Sequence, residues 1–328
     1  MNFLQDKTIL ITGGTGSFGK AFTKFLLNNT KAKKIIVFSR DELKQSRMRD
    51  ELQNDERLRF FLGDIRDLSR LQRAFHGVDV VVHAAALKQV PTLEYNPFEA
   101  VKTNIIGSQN VVDAAIDQQV EKVLLISTDK AAEPSNLYGS TKLCAEKLFV
   151  AGNSYAGRAT LFSCVRYGNV IGSRGSIIEK LSEQKDPKSV DITDEHMTRF
   201  WISLDKSISL VMFALENMVG GEIFVPKIPS MKLVDLFDAL APIAERRIIG
   251  IRPGEKIHEV LVSKSEARHA VEFDNYYVIL TEFPYFSDTA YEKYYSHGNK
   301  LSENFEYTSN TNTEWIEKNE IISIAQNS

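Results

Sequence analysis

The chain has 328 residues, with 40 Lys and Arg against 43 Asp and Glu; the formal net charge of −3 excludes a strongly basic nucleic-acid-binding protein. Apolar residues make up 43% of the chain and charged residues 25%, the usage of a globular protein and not of a disordered one. No apolar run approaches the ~18 residues of a membrane span, Met1 to Lys7 carry no signal-type apolar segment, and Cys144 and Cys164 lie in patterned apolar segments, so a cytoplasmic protein with no membrane contact and no disulfide scaffold is expected.

Through residue 170, short β-rich runs alternate with helical periodicity. Strands are expected at 8–11, 34–38, 58–62, 78–84, 122–127 and 159–165, with helices such as 21–28, 42–52 and 104–118 between them. Buried apolar strands separated by helices predict an α/β fold, a doubly wound parallel sheet covered on both faces. After Tyr167 the rhythm changes to loops with Gly, Ser and Arg and to short charged segments, which predicts a smaller lobe. A helical pattern opens at Asp205, runs through Met218 and leads to a strand at 222–225. Six histidines fall in no metal-ligand spacing, so no metal is expected.

The first strand runs directly into Gly13-Gly14-Thr15-Gly16-Ser17-Phe18-Gly19 and then a helix. Glycines at 13, 16 and 19 allow a tight turn, backbone approach to a pyrophosphate and close helix–strand packing. In that context the loop predicts a Rossmann-type dinucleotide site, with Thr15, Ser17 and Phe18 at the cofactor beside the glycines. The second strand ends in Ser39-Arg40-Asp41, with Lys44 nearby. An acid directly at the strand end would favour NAD. Here a hydroxyl and a guanidinium come first and suit a 2′-phosphate, so NADP is expected. Asp41 keeps NAD open unless it turns away as a helix cap. Asp64 and Ile65 follow the third strand, where Asp64 either meets the adenine amino group or caps a helix. Ala84-Ala85-Ala86 follow the fourth, where small side chains let backbone approach a ribose. Lys88 either reaches a substrate oxygen or is solvated.

Thr128-Asp129-Lys130 ends the fifth strand, and the following helix carries Tyr138 and Lys142, four apart and so on one face. A phenol ionises near ~10. A neighbouring ammonium lowers that value, so Tyr138 can take a hydroxyl proton and Lys142 can hold a nicotinamide ribose. Thr128, Asp129 and Lys130 place a hydroxyl, an acid and a base side by side at a strand end facing the crevice.

With Ser127-Thr128-Asp129-Lys130-Ala131-Ala132, the Tyr138 and Lys142 helix, and the blocks 166–176, 197–201, 221–227 and Arg252-Pro253-Gly254-Glu255-Lys256, the sequence resembles the extended short-chain dehydrogenases/reductases that modify nucleotide sugars. More narrowly it resembles the inverting UDP-N-acetylglucosamine 4,6-dehydratases of pseudaminic acid synthesis. The match runs from about residue 1 to 285. Sugar-nucleotide dehydratases usually read Thr-Asp-Glu where this chain reads Thr128-Asp129-Lys130. Membrane-anchored relatives tend to carry Met at the Tyr138 position and helices before the catalytic domain, so the chain resembles the soluble branch.

The resemblance implies a dinucleotide-binding domain at 1–166, to which 203–228 return, a substrate-binding lobe from 167–202 and 229–285, and an extension at 286–328 that is either a partly ordered tail or docked. It implies that Tyr138 takes the proton of the sugar 4-hydroxyl as NADP accepts hydride from carbon 4. A neutral Lys130 then takes the carbon 5 proton, a protonated Asp129 gives one to the departing 6-hydroxyl, and hydride returns to carbon 6. These roles call for a lowered lysine pKa and a raised aspartate pKa, which burial would supply. A UDP-sugar substrate is implied, with Arg166, Arg174, Arg199 and Arg252 for phosphate, Asn169 and Val170 at the sugar or diphosphate, Thr193 at the uracil and Glu255 at a ribose hydroxyl. It also implies a homo-oligomer, a hexamer on family grounds, with helices 104–118 and 138–153 supplying a four-helix seam. Rival readings are a 4-epimerase or 4-reductase, a retaining dehydratase, and a non-catalytic NADP-binding protein.

Overall fold

The computed structural model describes residues 2–172, 188–282 and 288–326, with positions 177, 179 and 181 between them. Strands β1 (Thr8–Thr12), β2 (Lys34–Ser39), β3 (Leu58–Leu62), β4 (Val80–His83), β5 (Lys122–Ile126) and β6 (Leu161–Val165) form parallel ladders in the order β3-β2-β1-β4-β5-β6. Ile9, Leu10, Ile11, Val81, Val82 and Val123 to Leu125 have no exposure, as continuous apolar runs in a sheet covered on both faces must. Strand ends differ from the expected ones by at most two residues. β6 starts late because Gly157 and Arg158, both at positive φ, make the turn that ends the preceding helix.

The connections are α1 (Ser17–Asn29), α2 (Glu42–Glu51), α3 (Leu68–Phe75), α4 (Val90–Tyr95), α5 (Pro97–Ala100), α6 (Gly107–Asp117) and α7 (Leu137–Tyr155). The expected 104–118 helix is α6 with a π-helical turn, Val101–Ile106, running into it.

The second lobe has its own core of Val190, Ile192, Trp201, Met231, Leu236, Phe237 and Ile321. It holds a sheet of β7 (Asn169–Val170), β9 (Thr198–Ile202) and β11 (Ser230–Lys232), and a pair of β8 (Ser189–Ile192) with β12 (Glu245–Ile248). Helix α8 (Leu204–Asn217) and β10 (Ile223–Pro226) lie with the large lobe, where β10 pairs in parallel with β6. Helices α9 (Leu233–Leu240) and α10 (Lys264–Ala267) follow. β14 (Ala270–Glu272) and β15 (Tyr276–Ile279) fall within the residues assigned to the substrate lobe but extend the large sheet, antiparallel beyond β10. Val271 and Val278 pair there with no exposure, and burial of that pair places them.

Of the two readings left open for the extension, the docked one holds. After α11 (Asp288–His297), β16 (Asn299–Lys300) becomes the tenth strand of the large sheet, and β17 (Tyr307–Thr308) pairs with β13 (Val260–Val262). α12 (Lys318–Gln326) packs on α9, with Ile321 in the small-lobe core. The Tyr294 hydroxyl donates to buried Glu222 at 2.8 Å, and the Tyr307 hydroxyl both accepts from Ile228 N and donates to Ile228 O at 2.9 Å.

Candidate active site

A cavity of about 820 Å³ runs along the carboxyl ends of the parallel strands. At one end lie Gly13, Thr15, Gly16, Ser17, Phe18 and Gly19. Gly13 has φ +65°, and a β-carbon there would lie 2.8 Å from the Ala85 backbone; one on Gly19 would lie 2.5 Å from Gly14. Bare backbone is therefore required where the loop meets α1 and the Ala84-Ala85-Ala86 turn, all three of which line the cavity. α1 starts without a side-chain cap, so the positive end of its dipole is left to a ligand anion.

Ser39, Arg40, Lys44 and Ile65 line the same end. Asp41 lines this end too, but its Oδ1 accepts from Lys44 N at 2.9 Å as the cap of α2, and its carboxylate pairs with Lys44 Nζ. Ser39 Oγ accepts from Gln45 Nε2 at 3.0 Å. Arg40 is half exposed, 3.6 Å from Asp64. Burial pushes Asp64 up, but bonds from Arg66 outweigh this and hold it below its ordinary value. Its Oδ1 accepts from Arg66 N, and the cap of α3 is Asp67 instead.

At the other end, β5 leads into a single turn at Asp129–Ala131, whose Thr128 hydroxyl accepts from Lys130 N. A β-carbon on Gly139 would stand 2.1 Å from Lys130 O, so glycine is what lets the first turn of α7 lie against this segment. That contact brings Tyr138 beside Asp129 and Lys130. Asn136 caps α7, its Oδ1 accepting from Gly139 N at 2.9 Å. Lys142 donates to Ile126 O at 2.8 Å, and burial lowers its pKa to about 8. Burial pushes Tyr138 up to about 12; the opposing cation is Lys130, helped by the Thr128 hydroxyl. The expected partnership in which Lys142 depresses the phenol is thus corrected, because the Lys142 ammonium is turned to a backbone carbonyl.

Asp129 has no exposure; its Oδ1 accepts from the Thr128 hydroxyl at 2.9 Å and from Lys130 Nζ at 3.1 Å. Burial raises its pKa, in the direction expected from the sequence. Lys130 departs from expectation. Burial lowers its pKa, but Asp129 and Glu259 outweigh burial, and the ammonium is held above its ordinary range. Glu259 Oε1 is 3.4 Å from Lys130 Nζ and 3.6 Å from Arg199 Nε. The sequence reading missed this carboxylate; its one signal is a place just past the 252–256 block.

A second cavity of about 470 Å³ shares Lys130, Asn169, Arg199 and Glu255 with the first and adds Arg252 and Glu259. Asn169 Oδ1 lies 3.5 Å from Lys130 Nζ; Val170 and Lys88 line the first cavity. Burial lowers the pKa of Lys88. Arg199 borders both cavities while donating to the carbonyls of Thr198, Ile257 and Lys256. Arg166 is not brought to the cleft. It has no exposure and its guanidinium is filled by Glu146, Glu266 and Leu261 O, so the expected phosphate contact is replaced by a core ion pair. Thr193 donates to Met197 Sδ and lines neither cavity. Arg174 lies outside the described residues.

Among the described residues, the buried side-chain polar atoms without a partner are Thr103 Oγ1, Asp129 Oδ2, Trp201 Nε1 and Glu259 Oε2. Thr103 and Trp201 line the first cavity and Glu259 the second. Such a group costs about 1–3 kcal/mol, so their gathering at one cleft marks a place where a polar ligand completes the structure. Thr103 was unforeseen, and Trp201 stands in the 197–201 block from which Arg199 was taken.

A glycine-cradled parallel sheet, a Tyr138–Lys142 helix and a second lobe over the strand ends define an extended short-chain dehydrogenase/reductase. The family profile described as polysaccharide biosynthesis protein matches residues 9–281, and the chain belongs to that family. It is 50% identical over 327 residues to UDP-N-acetylglucosamine 4,6-dehydratase (inverting) of Campylobacter jejuni, covering 98% of this chain and 97% of the relative. It is 44% identical over 331 residues to UDP-glucose 4-epimerase of Rickettsia felis, covering 98% and 96%. Among solved structures it is similar to the X-ray structure of Pen from Bacillus thuringiensis, with TM-score 0.89, 36% identity and coverage of 99% and 98%. The likeness to the dehydratase extends past residue 285, further than the motifs suggested.

Proposed function

We infer that this protein is an inverting UDP-N-acetylglucosamine 4,6-dehydratase, which removes water across carbons 5 and 6 and yields a UDP-linked 6-deoxy-4-keto sugar. The observation that carries the reading is the pairing of buried Asp129 with part-buried Lys130 against Tyr138, in a chain half identical to such an enzyme over nearly its whole length. A 4-epimerase needs Tyr138 and Lys142 but has no use for an adjoining acid and base. A retaining enzyme would differ in the face of carbon 5 that is reprotonated.

The glycine cradle and the open end of α1 fit a pyrophosphate, and Ser39 and Arg40 fit a 2′-phosphate, so NADP is the proposed cofactor. When bound, its nicotinamide supplies a hydride acceptor for carbon 4 and a donor for carbon 6. Tyr138, once it has released its own proton, accepts that of the 4-hydroxyl. The ketone so formed acidifies carbon 5, whose proton Lys130 accepts once it has released its own. Asp129, whose pKa burial raises, gives a proton to the departing 6-hydroxyl, and a proton returned to carbon 5 as hydride reaches carbon 6 completes the product. Lys142 holds the ribose while staying charged below about pH 8. Arg199, Arg252, Glu255 and Asn169 receive the nucleotide and sugar, and Lys88 a substrate oxygen.

No helix among the described residues is long and apolar enough to cross a membrane, and the protein is proposed to work in the cytoplasm on the way to pseudaminic acid. It is proposed to act as a homo-oligomer, a hexamer on family grounds, because Tyr95, Phe98 and Ile106 stand exposed beside α6 and α7. A proton NMR time course with UDP-N-acetylglucosamine tests the reading. A new carbon 6 methyl signal with inverted carbon 5 is expected; a 4-epimer with its 6-hydroxyl intact would overturn it.

A further inference from the structure

An aspartate next to a lysine normally ionises and pairs with it, which would leave Asp129 unable to donate a proton. The site holds a second carboxylate that answers this difficulty. Glu259 is 3% exposed, and its Oε1 stands 3.4 Å from the same Lys130 Nζ that Asp129 Oδ1 meets at 3.1 Å. We propose that Glu259 is the positioning residue of Lys130, supplying the counter-charge that frees Asp129 to stay protonated, and that the C-terminal extension holds it in place through Ser309. The proposal rests on the dehydratase reading above.

The geometry of the extension supports the second half. Ser309 has no exposure and follows β17, which pairs with β13 at Val260 and Thr308. Its Oγ accepts from Glu259 N at 2.9 Å, and its N donates to Glu259 O at 2.9 Å. The same Oγ donates to Thr198 O at 3.2 Å and meets Thr198 Oγ1 at 2.6 Å. One serine thus fixes the backbones carrying Glu259 and, next to Thr198, Arg199. Those two side chains are themselves 3.6 Å apart.

The charged and titratable groups around Lys130 come from every segment packed on it. Asp129 lies on its own turn, Tyr138 on α7, Arg199 on β9, and Lys256 and Glu259 on the segment before β13. Anions raise a lysine pKa and cations lower it. Glu259 also raises Asp129, so removing its charge must lower both pKa values together. Burial pushes Glu259 up, but Lys130 and Arg199 outweigh this and keep it ionised.

The test is the pH profile of kcat/KM for dehydration in Glu259→Gln, Glu259→Asp and Ser309→Ala, with melting curves for each. Dehydration needs a neutral Lys130 and a protonated Asp129, so both limbs of the bell report these groups. Glu259→Gln should move the whole bell to lower pH by about one unit or more. Glu259→Asp should leave the bell in place at reduced height, and Ser309→Ala should move it the same way by less. A bell that stays in place in folded Glu259→Gln would make Glu259 merely structural. If that variant does not fold, an unmoved bell in Ser309→Ala overturns the proposal. A wild type that does not dehydrate the substrate sinks the dehydratase reading and this one with it; an active wild type with unmoved variants sinks this one only.

Discussion

Arg166 Nη2 and Glu146 Oε2 pair at 2.6 Å with neither side chain exposed, tying the end of β6 to the middle of α7. Glu266, on α10 just after β13, takes the other side of the guanidinium at 2.8 Å. Glu146 also accepts from Ser127 Oγ, one residue before Thr128. The pair is therefore a strut behind the Thr128–Lys130 segment, tying β6, α7 and α10 to it. Arg166→Met leaves Glu146 as a buried unpaired charge and should cost about 3–5 kcal/mol in urea unfolding. UDP affinity measured by calorimetry on the folded variant should be unchanged. Lost UDP affinity at unchanged stability would return Arg166 to the phosphate.

Lys130→Ala should abolish dehydration while cofactor binding persists, because Lys130 touches Asp129 and Glu259 and stands apart from the glycine loop. Tyr138→Phe should be equally inactive, losing the oxygen proposed to take the first proton. Product formation followed by NMR, with cofactor content by absorbance, checks both. Near wild-type turnover in either variant would remove that residue from the chemistry.

Much of the large lobe was legible because its strands are continuous apolar runs such as Val80-Val81-Val82, and because glycines between a strand and a helix have few other uses. The place of Tyr138 and Lys142 at the cleft was legible from their spacing, but not the turn of the Lys142 ammonium away to Ile126 O. The partners of a charge were not. The carboxylates that fill Arg166 lie 20 and 100 residues away along the chain, so no local pattern distinguishes a core strut from a phosphate ligand. Lys130 misled for the same reason: no local pattern announces a second carboxylate, Glu259, brought in from a distant part of the chain. In the extension, two-residue strands and tyrosine hydroxyls share the docking with α12, and neither of the first two leaves a periodic trace.

That docking is measurable. Tyr307 is 7% exposed, and its hydroxyl satisfies Ile228 N, which would otherwise be buried without a partner. Ile228 O keeps a bond from Asn312 at 2.8 Å, so Tyr307→Phe orphans mainly the donor. The expected loss is about 1–3 kcal/mol in denaturant unfolding. No loss of stability would show that β17 is held by its ladder and ring contacts without this hydroxyl.

Cofactor choice turns on Arg40. Asp41 stays at the end of β2 and lines the cavity, but its Oδ1 is engaged as the cap of α2 and its carboxylate is paired with Lys44, so Arg40 is the group that would distinguish a 2′-phosphate from a 2′-hydroxyl. Arg40 must exchange its exposed pairing with Asp64 for the phosphate, a small cost at a solvated site. Charge-assisted bonds there are worth about 1.5–3 kcal/mol, roughly ten- to a hundredfold in affinity. Arg40→Ala should therefore weaken NADP far more than NAD in calorimetry on stripped protein. Equal losses for both dinucleotides would show that the 2′-phosphate is not read here.

Lys142 predicts a pH dependence of stability. Burial lowers its pKa from 10.5 to about 8, with Glu146 opposing. Between those values the unfolded chain binds more protons at this site than the folded one, so the contribution of Lys142 to stability rises with pH across the window. The physical cause is that folding strips water from an ammonium whose one bond in compensation runs to Ile126 O at 2.8 Å. Lys142→Met removes this titration and leaves the buried tyrosines, which titrate at higher pH, the same in both proteins. Wild-type stability minus that of Lys142→Met should therefore increase from about pH 8 to about pH 10.5, with a slope of at most roughly 1.4 kcal/mol per unit. Denaturant titrations of both proteins at a series of pH values measure that difference. Parallel stability curves would mean that the folded ammonium is as well solvated as the unfolded one, and that its place against Ile126 costs nothing.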